Sequence, residues 1–180
     1  MIISFAWTTD ALLAGRKTCT RRDWNPAYAA KFTAGKVADA YDHLPRAHGK
    51  KIGDVQIKRV PYPERLCDIP DEDYEGEGLK FMEEKGLRIR GVEPIDWFNA
   101  WRDSTKVMFV VRFDLVFPCD RCGGFTTLVP FGPGNLQRLC PLCWAGWEYY
   151  AEDHGRQCRG TAEEWRTVYR EFCNTKGVEL

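Results

Sequence analysis

No stretch of this chain approaches the roughly 18 consecutive apolar residues that a membrane-spanning helix requires, so a helical membrane protein is not expected. The first residues, MIISFAWTTDALLAG, lack a basic leader and are interrupted by Thr8, Thr9 and Asp10. They do not read as a secretory signal, and a cytoplasmic location is the resulting expectation. Net charge is also missing: 26 Lys and Arg balance 26 Asp and Glu. That balance argues against a chain that is basic throughout, the simplest kind of nucleic-acid binder. What remains is an ordinary globular composition, with 44% hydrophobic, 13% aromatic and 29% charged residues among 180. A chain of this length holds one sizeable core, or a core plus a small appended module.

The charges that are present are unevenly placed. Residues 1–60 carry 11 Lys or Arg against 5 Asp or Glu, residues 61–105 carry 6 against 12, and residues 106–180 carry 9 against 9. A local basic excess makes a face that attracts phosphate even in a neutral protein. The plainer reading folds the acidic middle against the basic start as a salt-bridged surface. The densest basic stretch is GRKTCTRRDW, residues 15–24. There Arg16, Lys17, Arg21 and Arg22 are candidate nucleic-acid or phosphate contacts, because guanidinium forks and hydroxyls suit phosphate oxygens. A solvated strand after a helix is the competing description.

Elements follow from pattern and punctuation. Residues 2–6, IISFA, are β-prone, and DALLAG after Thr8 or Thr9 predicts a short capped helix closed by Gly15. Asn25-Pro26 predicts the start of a second helix, PAYAAKFTA, with Gly35 as its stop. KVADAYDH and IGDVQIKRVPY read as strands. Residues 71–85 look helical but are weakened by Gly76 and Gly78, which points to two short pieces. PIDWFNAWRD from Pro94 predicts a short helix, and KVMFVVRFDLVF is the strongest strand, with Val107, Phe109, Val111, Phe113, Leu115 and Phe117 alternating onto one face. Strands and helices mix without strict alternation, so the fold class is α+β, as a small, partly closed β-barrel with peripheral helices over residues 1–117.

Residues 118–180 differ in kind. Cys119 and Cys122 form one C-x-x-C pair, Cys140 and Cys143 another, with 17 residues between the pairs. Two sulfurs on a tight turn point at one tetrahedral ion, and this spacer suits a four-cysteine zinc ribbon joined by a hairpin. Two disulfides are the alternative, which a reducing compartment disfavours. One Zn2+ per chain, held in a closed site with a structural role, is the expected cofactor. Trp144, Trp147, Tyr149 and Tyr150 either pack the ribbon or offer stacking surfaces. TAEEWRTVYREF from Thr161 predicts a capped amphipathic terminal helix, which together with the ribbon is a candidate surface for a protein partner.

ISFAWTTDALLAGRKTCTRRDW, the later IGDVQI, the EGL of YEGEGLKF and the closing KVMFVVRFDLV together resemble the ASCH domain family over residues 1–117. The resemblance implies a PUA-like fold and an RNA, nucleotide or nucleobase ligand. Some small bacterial members are amidohydrolases that remove the acetyl group from 4-acetylcytidine with a lysine, a threonine and a glutamate. By motif those residues fall on Lys17, Thr20 and Glu77, the last with Glu75, Glu83 and Glu84 close by. The resemblance therefore implies a pocket that either reads a modified pyrimidine or cuts it. The ribbon and a longer segment around residues 25–50 depart from those small members.

Overall fold

The computed structural model describes residues 1–120, 122–126, 139–140 and 143. The expected hairpin between the cysteine pairs, the aromatics after Cys143 and the terminal helix lie outside the described residues. Packing divides the chain into two compact units, Met1–Leu115 and Val116–Leu180. Among the described residues no helix is long and apolar enough to cross a membrane.

The fold is mixed α+β. Its strands are β1 (Ile2–Ser4), β2 (Cys19–Arg22), β3 (Val37–Tyr41), β4 (Lys51–Ile57), β5 (Tyr62–Arg65), β6 (Val107–Pro118) and β7 (Phe125–Thr126). The helices are α1 (Thr9–Leu13), α2 (Pro26–Ala29), α3 (Asp73–Gly76), α4 (Leu79–Glu84) and α5 (Pro94–Arg102). The strands run in the order β1-β3-β4-β6-β2, with β5 and β7 also pairing with β6. The pair β1 and β3 is parallel, while β3–β4, β2–β6, β5–β6 and β6–β7 are antiparallel.

The seven strands form a sheet that does not close into a barrel. Strands β1 and β2 end the sheet path and share no ladder. Ala6, at φ 43°, turns the chain out of β1 after three residues. The guanidinium of Arg22 then donates to the carbonyl of Ser4, so a side chain reaches across where backbone pairing would have sealed the sheet. This gap becomes the site.

Several sequence expectations need adjusting. Helix α2 stops at Ala29 although it has the expected Asn25 cap, whose side chain accepts from the Tyr28 amide at 2.8 Å. Strand β6 is apolar on both faces at its centre: Val110 and Val111 are both buried, as are Phe113 and Val116, while Val107 at its start is 52% exposed. A single alternating face therefore describes only part of it. The main core gathers Ile3, Phe5, Leu12, Val55, Val111 and Phe113, with the rings of Phe5 and Phe113 edge to face at 5.4 Å. A second cluster, including Leu66, Leu79, Met82, Ile89 and Phe98, binds α4 and α5 to the turn before α3. At about 1.5–3 kcal/mol for each fully buried side chain, these clusters fix β6, on which β2 pairs, and α4, which starts just after Glu77.

Candidate active site and metal centre

The basic stretch is not a solvated strand. Gly15, at φ 71°, ends α1, and the amides of Arg16 and Lys17 both donate to the carbonyl of Ala11, at 3.0 and 3.1 Å. The Thr18 amide donates to the carbonyl of Gly76 at 2.9 Å, and the Thr18 carbonyl accepts from Phe113. Pinned on three sides, the chain turns Lys17 inward, where it is 2% exposed. Strand β2 then pairs with β6 through Cys19↔Arg112, Thr20↔Val111, Arg21↔Val110 and Arg22↔Phe109. Alternation puts Cys19 and Arg21 on one face and Thr20 and Arg22 on the other. Cys19 packs so closely on α3 that a Cβ at Gly76 would lie 3.0 Å from its sulfur. Burial raises the Cys19 thiol well above its usual range, so it stays protonated.

Carboxylates from the acidic middle meet these cations underground. Lys17 Nζ donates to Glu77 Oε2 at 2.9 Å and to the Glu77 carbonyl at 2.6 Å. Arg21 donates to Glu77 Oε1 at 3.0 Å, to Asp73 Oδ2 at 2.5 Å and to Glu64. Arg112 clamps Asp73 with two bonds of 2.7 and 2.8 Å. Burial alone would lower the guanidinium pKa of Arg21, but Glu77, Glu64 and Asp73 outweigh it and hold the group above its usual range. For Asp73, burial works to raise the pKa, and the bonds from Arg112 and Arg21 overcome it and keep the carboxyl low. Arg22 differs: burial pulls its pKa down, no carboxylate pairs with it among the described residues, and its Nε is buried without a partner. The cluster thus sets Lys17, Arg21, Arg22 and Arg112 against Glu64, Asp73 and Glu77, one cation in excess.

Part of this cluster floors a cavity of about 280 Å³ beside the end of β1 and β2. Lys17, Thr20, Arg21, Arg22 and Glu77 supply its polar side. Phe5, Trp7, Leu79, Ile89, Trp97 and Trp101 supply the apolar walls. A concave, mostly apolar space with a few convergent polar groups is the general form of a small-molecule site. Lys17, Thr20 and Glu77, chosen by motif, therefore share one pocket, although Glu77 lies 60 residues from Lys17. Thr20 is 5% exposed. The other basic candidates are placed differently. Arg16 sits near the surface between Glu75 and Glu84, over the Phe81 ring, and Arg21 is enclosed by carboxylates.

In the second unit, Cys119, Cys122, Cys140 and Cys143 bring their sulfurs within 4.8 Å of one another. Cys122 and Cys140 are 3.9 Å apart at sulfur, too far for a disulfide and close to the separation of about 3.8 Å set by a tetrahedron with metal–sulfur bonds of about 2.3 Å. Backbone amides tighten the turn: Gly123 donates to the Cys119 carbonyl at 2.9 Å and Cys119 to that of Gly124 at 2.8 Å, while Cys140 N–H donates to the Cys119 sulfur at 3.3 Å. Gly123, at φ 71°, has the left-handed conformation this turn needs. The four thiols are thus close enough to bind one metal ion.

No family model, curated protein or solved structure matches this chain.

Sequence reasoning passed over Glu64, Asp73 and Arg112, which fix the pocket floor from behind, and Trp7, Trp97 and Trp101, which wall it. The carboxylates carry a weak signal, since the acidic excess of residues 61–105 mirrors the basic excess before it. Trp97 and Trp101 are four apart on α5, a spacing that sequence alone assigns to core packing as readily as to a cavity wall.

Proposed function

We propose that residues 1–115 are an ASCH domain with a PUA-like fold, and that its cavity binds an N4-acylated pyrimidine nucleoside and hydrolyses the amide, as in 4-acetylcytidine. The observation that carries this reading is the convergence of Lys17, Thr20 and Glu77 on one walled cavity. Aromatic walls stack a flat base, and the polar floor meets its exocyclic edge. Thr20 holds a water against the acyl carbon. The proton of that water passes to the Lys17–Glu77 pair, which delivers a proton to the exocyclic nitrogen as the C–N bond breaks. One water is consumed, and a carboxylic acid and the free amine leave. Arg22, without a carboxylate of its own, faces the negative charge that develops on the acyl oxygen.

Binding of an RNA chain through Arg16, Arg21 and Arg22 requires those side chains to be open to phosphates. The engagement of Arg16 and Arg21 with carboxylates supports an enclosed small ligand over a polymer. In the second unit we propose that the metal is Zn2+ with a structural role, because four soft thiolates leave no open position for a substrate.

Purified protein incubated with 4-acetylcytidine is expected to release cytidine and acetate. Lys17→Ala is expected to lower kcat/KM by at least about 100-fold, the usual loss for a proton-transfer group. A panel of N4-acylated pyrimidines left intact by folded protein removes the hydrolase reading.

A further inference from the structure

The cavity has a direction. Its polar floor is sealed, with Lys17 2% and Glu77 3% exposed, whereas Trp7 on its wall is 47% exposed and marks the mouth. Trp7 packs edge to face on Trp97 at 5.8 Å, and the Arg90 guanidinium lies over the Trp7 ring at 5.3 Å. Arg90 occupies a costly position. Ile89 and Val92 exchange two backbone bonds, of 2.9 and 3.0 Å, around a two-residue turn in which Arg90 (φ 52°) and Gly91 (φ 84°) both have positive φ. That is a type I′ turn, whose first central position favours Asn, Asp or Gly. An arginine there gains nothing locally. Neighbouring cations are engaged, Arg88 with Glu93 and Arg102 with Asp71, but Arg90 pairs with no carboxylate among the described residues.

We propose that Arg90, laid on Trp7 at the mouth, binds the phosphate of a nucleoside 5′-monophosphate, so that the pocket selects a nucleotide over a free nucleoside. This rests on the pyrimidine reading above. If the exocyclic edge of the base reaches Lys17, Thr20 and Glu77, its sugar and anything esterified to it point out past Trp7. A guanidinium held by stacking loses less freedom on meeting a phosphate than one on a loose surface chain.

The test compares 4-acetylcytidine with its 5′-monophosphate, by calorimetric binding and by turnover, in the wild type and in Arg90→Asn. This substitution makes the turn dipeptide Asn-Gly, the preferred type I′ pair, so it removes the charge without harming the turn. The wild type is expected to prefer the monophosphate about tenfold at low salt, less at high salt. Arg90→Asn is expected to erase that preference while leaving affinity for the nucleoside unchanged. Equal binding of both ligands by the wild type, or a preference that survives Arg90→Asn, overturns the proposal and leaves the pyrimidine pocket standing. Failure of the wild type to bind or convert either ligand overturns both.

Discussion

Asp73 is the residue on which the pocket floor balances. It is 1% exposed, clamped by Arg112 and bonded to Arg21, which in turn holds Glu77 against Lys17. Asp73→Asn leaves the buried Arg21 and the half-buried Arg112 undercompensated, and breaking a buried pair from one side costs about 3–5 kcal/mol. The sign of its pH dependence follows from the depressed carboxyl. A group held low in the folded state is stabilising above its unfolded value of about 3.9, and that contribution is lost as pH falls through the folded value. Denaturant unfolding should therefore show a wide gap between wild type and Asp73→Asn at pH 7 that narrows below about pH 4. A gap that stays constant into acid would mean that Asp73 carries no charge-dependent stability.

Glu77 reaches the pocket because the helix breaks at it, between the end of α3 and the start of α4. The segment splits into α3 and α4 at Gly78, whose φ of 82° lies in the left-handed region. A Cβ there would meet Ala11 at 2.7 Å and Lys17 at 3.5 Å. Gly78→Ala combines left-handed strain with a clash against α1, and should cost about 2–4 kcal/mol of stability while moving Glu77 off Lys17. Thermal unfolding measures the first effect, and loss of turnover in the protein that remains folded measures the second. Unchanged melting would show that the α3–α4 junction is not under this constraint. This break was legible in the sequence, as were β3, β4, β6 and α5, because alternation and Gly or Pro punctuation are local signals. Burial of β2 was not. CTRR reads as surface by composition, and Arg21 goes inside because Glu64, Asp73 and Glu77 arrive from 43 to 56 residues away. The open gap between β1 and β2 was equally hidden, since it depends on a backbone turn at Ala6 that no residue type announces.

At the scale of the molecule, the two units rest on different sources of stability. The first has two apolar clusters and a paired ionic floor, and among the described residues all that line the cavity lie within it. The second, Val116–Leu180, is a chain segment of the size at which an apolar core rarely supplies more than about 3–5 kcal/mol. Under the zinc reading proposed above, a four-thiolate site would contribute about 10–16 kcal/mol of apparent binding energy, and the metal would be the main term there. Elemental analysis of the intact protein should accordingly find one zinc per chain. Removing it with a thiol-reactive chelator should open residues 116–180 to proteolysis while a fragment of about residues 1–115 survives. Ligand binding in the cavity should change by less than about twofold, since no cysteine of the cluster lines it. If metal removal instead unfolds both units in one transition, the first unit's own clusters do not suffice to hold it. If the protein purifies metal-free and fully protected over residues 116–180, the four cysteines are not a structural zinc site.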